Sequence, residues 1–131
     1  MDIKDPITII KLHDALIEEL GGESGVISEH LLLSALLRPF TGLSDGTELY
    51  PTITDKAAAL IHSLIKNHAF LDGNKRTAAQ VTMIYLRENN YDLEFTQNEI
   101  VDFVLDIAQS KVDFNYIKDW IKLRMRSLSN G

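Results

Sequence analysis

The chain has 131 residues, 45% hydrophobic and 24% charged, so one soluble domain spanning 1–131 is expected, because a second core of ordinary size would not fit. The absence of cysteine excludes disulfides, thiolate nucleophiles and zinc-thiolate sites, and the net charge of -6 argues against general nucleic-acid binding, which draws on Lys and Arg meeting phosphates. No apolar run approaches the roughly 20 residues that cross a bilayer, and the first six residues lack the pattern of a signal peptide, so a cytoplasmic protein with no membrane association is expected.

From Pro6 to Leu20 the apolar residues Ile9, Ile10, Leu12, Leu16, Ile17 and Leu20 recur at helical spacing. Pro6 suits a first turn and Gly21-Gly22 a stop, which predicts a first amphipathic helix. Ser28 is the expected N-cap of a short second helix through Leu37, and Pro39 closes it because the residue before a proline is pushed out of helical geometry. Phe40 to Thr54 carries Gly42, Gly46 and Pro51 without helical period, and reads as a long loop or small hairpin.

Thr54 is the expected cap of a third helix running to about Asn67, and a fourth is expected from about Lys75 to Glu88. Ala57 to Leu64 and Ala78 to Leu86 are apolar on most faces, which places these two helices at the centre of the core. Asn89-Asn90 can end the fourth helix, since asparagine tolerates left-handed backbone. Thr96 and Glu99 have capping-box spacing for a fifth helix from Gln97 to about Gln109, and Asp113 can cap a sixth through about Leu128. The fold expected is all-α, a compact bundle of about six helices with a flap at 40–54. Lys118, Lys122, Arg124 and Arg126 form a basic stretch that reads as a solvated helix face or as charge complementing the helix C-terminus.

The chemistry concentrates between the third and fourth helices, in His68-Ala69-Phe70-Leu71-Asp72-Gly73-Asn74-Lys75-Arg76. His68 can accept a proton from a hydroxyl and is the natural general base. Asp72 is a hard oxygen ligand of the kind that holds Mg²⁺ together with substrate phosphates. Gly73 and Asn74 fall where the fourth helix begins, where unpaired N–H groups form an anion site, and Lys75 and Arg76 add positive charge. The bland alternative is an ordinary connection in which Asp72 or Asn74 caps and the two cations are solvated. Co-occurrence of a histidine, a carboxylate, a glycine and two cations weighs against it. A P-loop is excluded, because the lysine does not follow its glycine directly and no strand precedes.

This loop resembles the Fic/Doc signature, His-x-Phe-x-Asp/Glu-Gly-Asn-Gly/Lys-Arg. Leu12-His13-Asp14, Gly21-Gly22, Gly25-Val26 and Leu36-Leu37-Arg38-Pro39 are also similar to the N-terminal half of death-on-curing (Doc) proteins. The resemblance implies His68 as base, Asp72 as Mg²⁺ ligand, Gly73 and Asn74 lining the phosphate site, and Phe70 anchoring the loop in the core. Members that transfer adenylyl groups carry a second arginine where this chain has Ala79, whereas Doc toxins share the Lys75-Arg76 pair and lack that arginine. The resemblance therefore implies a toxin kinase that moves the γ-phosphoryl of ATP to a Ser/Thr hydroxyl of a translation factor, elongation factor Tu, and arrests translation. Gly73 matches the adenylyl-transferring pattern, so adenylyl transfer stays open, as does a catalytically inactive binding module. Ser44-Asp45-Gly46-Thr47-Glu48-Leu49 has the spacing of the family's self-inhibitory motif but lacks its final Gly or Asn, so the resemblance implies a separate Phd-like antitoxin. Phe40 to Thr54 takes the place of the family's flap, His62 reads as structural, His30 as exposed, and His13-Asp14 as either polar support for the site or a helix-surface pair.

Overall fold

A computed structural model describes residues 1–128. Helix α3 (Ile53–Lys66) is its axis: Ala57, Ala58, Ala59, Leu60 and Ile61 are all buried, and the small alanines let neighbours approach closely. Around it pack α2 (Glu29–Leu37), α4 (Asn74–Glu88), α5 (Gln97–Ala108) and α6 (Phe114–Arg124), while α1 (Pro6–Leu20) leans on α2 and α4. This is the expected bundle of six helices. No helix among the described residues is long and apolar enough to cross a membrane.

Local signals set most boundaries. In α1, Asp5 accepts the Ile7 N–H, Pro6 opens the first turn and Gly21 (φ +89°) stops the helix while donating to the Ile17 carbonyl at 2.8 Å. Ser28 caps α2 through the Leu31 N–H, and Arg38–Phe40 continues as one 3₁₀ turn. The Thr96 and Glu99 capping box of α5 is present, and Asn90 (φ +68°) turns the chain out of α4.

Two boundaries differ from expectation. The cap of α3 is Thr52, not Thr54: Thr52 Oγ1 accepts the Asp55 N–H at 3.0 Å and Asp55 reaches back to the Thr52 N–H at 3.3 Å. That reciprocal box satisfies two donors at once, which Thr54 with Ala57 at N3 could not. Helix α6 stops at Arg124 rather than near Leu128, and Met125–Ser127 forms strand β2, antiparallel to β1 (Tyr91–Leu93), with Leu93 facing Met125 and Tyr91 facing Ser127. No glycine or proline marks this end, because the strand is selected by a distant partner. The basic stretch is largely ion-paired: Lys118 with Asp55 (2.7 Å), Arg124 with Glu99 (2.7 Å) and Arg126 with Glu94 (3.3 Å). Arg124 also lies 4.0 Å over Trp120, whose ring stacks on Phe103.

The expected flap is a small hairpin. Leu43 N–H donates to Thr47 O (2.7 Å), Leu49 N–H to Thr41 O (3.1 Å), and Gly42 faces Glu48. Ser44 to Leu49 therefore lies in the hairpin and not in a helix. Its stem is tied down from below. Buried Lys56 donates to Glu48 Oε1 (3.0 Å) and the Tyr50 carbonyl, and Arg38 donates to Tyr50 Oη (3.1 Å) and to His62 Nδ1. Burial first, then the charges of Arg38 and Lys66, hold His62 below its usual pKa, consistent with a neutral ring accepting from Arg38.

Two measurements test these contacts. Thr52→Ala removes one half of the α3 capping box and is expected to lower stability by about 1 kcal/mol in urea unfolding. Because the folded pKa of His62 is depressed, its favourable contribution is whole above its ordinary value of 6.5 and declines as pH falls from there toward the lowered folded value. The urea midpoint should therefore drop between about pH 8 and about pH 5.5, and His62→Gln, which accepts from Arg38 without titrating, should flatten that drop.

Candidate active site

Helix α3 ends at Asn67, whose side chain donates to the Leu31 carbonyl at 3.0 Å. The chain then reverses at exposed His68, which has φ +49°, a left-handed conformation in which histidine is enriched among non-glycine residues and which carries some strain. Ala69 to Leu71 runs extended beside Gly25 to Ile27: Ile27 N–H donates to Ala69 O (2.7 Å) and Leu71 N–H to Gly25 O (3.0 Å). Phe70 is 2% exposed and stacks on His13 at 3.8 Å, the anchoring role expected of it. Asn74 closes the loop on itself, accepting the Phe70 N–H (3.0 Å) and donating to the Phe70 carbonyl (2.8 Å).

Asp72 faces solvent. Its Oδ2 accepts the Glu23 N–H (3.2 Å) and its Oδ1 the Gly73 N–H (2.8 Å). Those bonds, the Glu23 one foremost, and then the charges of Arg76 and Lys75, hold the carboxyl below its usual range, so it is an anion at neutral pH. Gly73 is the N-cap of α4 at φ +78°; a Cβ there would meet Ile17 Cδ1 at 3.0 Å as well as strain the backbone. Glycine also leaves α4 without a capping side chain, so the N–H groups of its first turn are available to an anion.

A cleft of about 450 Å³ opens at this helix end. Asp72 to Arg76 form its polar end, and Met83, Phe95, Ile100 and Val104 line its apolar end, with Ala79 between. Lys75 is exposed and makes no hydrogen bond or ion pair among the described residues, whereas Arg76 donates to the Gly21 carbonyl at 2.9 Å. His68 borders a second hollow of about 280 Å³ with Lys66, Asn74 and Lys75. The two hollows share Asn74 and Lys75, so His68 and the start of α4 are neighbours at the same end of the helix. Asn74 Nδ2 donates to His68 Nδ1 at 3.3 Å, a long bond that an incoming hydroxyl can replace.

All six expected site residues therefore sit in this loop and the helix start it leads into. The side chain of Asn74 turns inward to hold the loop, which leaves only its backbone N–H for an anion. Sequence reasoning misses the Glu23 N–H, and it leaves His13 undecided. His13 is fully buried, with Nε2 2.7 Å from the Asp72 carbonyl and Nδ1 3.2 Å from Asp14. Its place midway between Ile9 and Ile17 on the buried stripe of α1 is the available signal. Among the described residues no three His, Asp or Glu side chains are grouped to hold a metal.

Asn74→Ala would leave both backbone groups of buried Phe70 unpaired, each costing roughly 1–3 kcal/mol. Chemical denaturation should show a loss of at least about 2 kcal/mol, against less than about 0.5 kcal/mol for Lys75→Ala.

Comparison with known proteins points the same way. Residues 5–86 match the family described as Fic/DOC. Toxin Doc of Mycolicibacterium smegmatis (strain ATCC 700084 / mc(2)155) is 38% identical over 99 residues, 74% of this chain and 75% of that protein. Protein kinase doc of Escherichia phage P1 is 28% identical over 120 residues, 89% of this chain and 90% of that protein. The match takes in α1, the Gly-rich turn behind Asp72, the whole His68 to Arg76 loop and most of α4, so that the chain belongs to the Fic/DOC family.

Proposed function

We propose that this chain is the toxin of a toxin–antitoxin module, a protein kinase that transfers the γ-phosphoryl group of ATP to a Ser/Thr hydroxyl of a translation factor, by resemblance elongation factor Tu. The observation that carries this reading is that one short loop sets His68 against Asn74 and Lys75, which also line the cleft holding Asp72, the uncapped start of α4 and Arg76. The names of the two relatives, a toxin and a protein kinase, support it.

His68 takes the proton of the acceptor hydroxyl on its unprotonated ring nitrogen, and the freed oxygen bonds to the γ-phosphorus. The bond from that phosphorus to the oxygen bridging to the β-phosphate breaks, and ADP leaves with its charge held by the N–H groups of α4, Lys75 and Arg76. Exposed His68 then passes its proton to water. Asp72 is the residue that would hold Mg²⁺: one ionised carboxylate beside a phosphate-sized anion site suits an ion that completes its shell with phosphates and water. Bound Mg²⁺ would supply neutralisation of the phosphate oxygens. Ala79 leaves the cleft without a second guanidinium beyond Arg76, which favours γ- over α-phosphate presentation. A separate Phd-like antitoxin is the expected inhibitor and partner.

Adenylyl transfer is the second reading, favoured by Gly73 at the phosphate site. Incubation of the target with ATP labelled at the α- or the γ-phosphate decides between them: label from the γ position is expected on the protein, and label from the α position alone would sink the kinase reading. His68→Ala should lower transfer by about 10²-fold or more while leaving the unfolding midpoint near that of the unaltered protein. Unchanged transfer in that variant would instead identify an activity that does not use the loop.

A further inference from the structure

Asp72 is held from behind by an element that lies outside both hollows of the site. His13 Nε2 is 2.7 Å from the Asp72 carbonyl; a carbonyl only accepts, so Nε2 carries a proton and donates it. The ring is fully buried and lies flat on Phe70, at 3.8 Å and an interplanar angle of 6°, so it is fixed in orientation. Glu23 N–H donates to Asp72 Oδ2 at 3.2 Å, and Gly22 leaves just enough room: a Cβ there would stand 2.8 Å from that oxygen and 2.9 Å from Ile17 Cδ1.

We propose that His13 is a positioning residue for the group transfer. By donating to the Asp72 carbonyl it fixes the peptide plane between Asp72 and Gly73. That plane sets both the direction of the Asp72 carboxylate and the left-handed turn from which α4 starts. His13 lines neither hollow at the site, so it acts through Asp72 and not on substrate. Its neighbours on the stripe, Ile9 and Ile17, are apolar, and an aliphatic side chain would fill the same core position without needing a polar partner. The imidazole makes two polar contacts, Nδ1 at 3.2 Å from Asp14 Oδ1 on its own helix and the shorter Nε2 bond to Asp72, and only the second reaches the loop. The inference rests on the kinase reading above for its activity readouts, but not for its structural ones.

The test compares His13→Phe, which keeps the stack and loses the donor, with His13→Gln, which loses the ring and keeps an N–H. Ile9→Val loosens the same stripe one turn away from His13. His13→Phe is expected to fold and to lower kcat by about 10- to 100-fold, with KM for the acceptor protein changed less than about threefold and more Mg²⁺ required for half-maximal rate. His13→Gln should recover about tenfold over His13→Phe, and Ile9→Val should lower the unfolding midpoint with kcat unaffected. If His13→Phe keeps the kcat of the unaltered protein, or if His13→Gln is no better than His13→Phe, the residue serves core packing and the inference falls.

NMR of the unaltered protein gives a second test that needs no variant to fold. A slowly exchanging His13 Nε2 proton with scalar coupling to the Asp72 carbonyl carbon is expected, and its absence overturns the proposal. Should the unaltered protein transfer no phosphoryl group, the functional reading fails. Shifted Asp72 and Gly73 backbone signals in His13→Phe would still support the positioning role, and unmoved signals would refute it.

Discussion

A flat contact between two buried rings, Phe70 on His13, underlies the rest of this structure. The loop between α3 and α4 exposes His68 and Asp72, and the transfer proposed above would need both held close to one pose. Exposed loops do not do that by themselves. Here the middle residue of the loop is sunk into the core, its ring against α1 and its two backbone groups held by Asn74. His68 and Asp72 sit two residues to either side of that anchor, with His68 remaining close to the end of a rigid helix and Asp72 close to the start of another.

The electrostatics follow from the same arrangement. A helix start would ordinarily carry a Ser, Thr, Asp or Asn cap worth about 1 kcal/mol. Gly73 supplies none, and the stability so forgone leaves first-turn N–H groups open to an anion. Asp72, next to it, does not become the cap: its oxygens face the N–H of Gly73 and of Glu23 across the chain, so its charge points outward at the mouth of the cleft. A chain with net charge -6 thus gathers a local cationic cradle at Lys75 and Arg76. The basic residues of the C-terminal stretch are largely engaged elsewhere, three of them by carboxylates on α3, on α5 and just after β1.

Legibility from sequence tracks the range of the interaction that decides each feature. Helix α1 is readable to the residue, because Pro6 and Gly21 are local signals and its apolar stripe is regular. The α5 capping box is readable for the same reason, whereas at α3 two threonines compete and only Asp55, as the reciprocal partner of Thr52, distinguishes them. Strand β1 leaves a trace in the alternation Tyr91, Leu93, Phe95, but β2 has none of its own and exists by pairing across the intervening α5 and α6. The candidate site residues are readable by type and spacing. What each does with its side chain is not: Asn74 turns inward to Phe70, and His13 reaches the Asp72 carbonyl from a helix 59 residues earlier in the chain.

The bond from Arg76 to the Gly21 carbonyl completes the logic of α1. That carbonyl belongs to the residue that stops the helix, where C-terminal carbonyls lack intrahelical partners and carry the negative end of the dipole. Arg76 therefore stands between the C-terminal end of one helix and the N-terminal end of another, satisfying the first while also lining the cleft. A planar, five-donor guanidinium can hold a carbonyl and a phosphate oxygen together, whereas a lysine would have to share a single ammonium between them. The two cations therefore differ: Arg76 is tied to the Gly21 carbonyl, and under the proposed transfer exposed Lys75 would be the one free to move with its ligand.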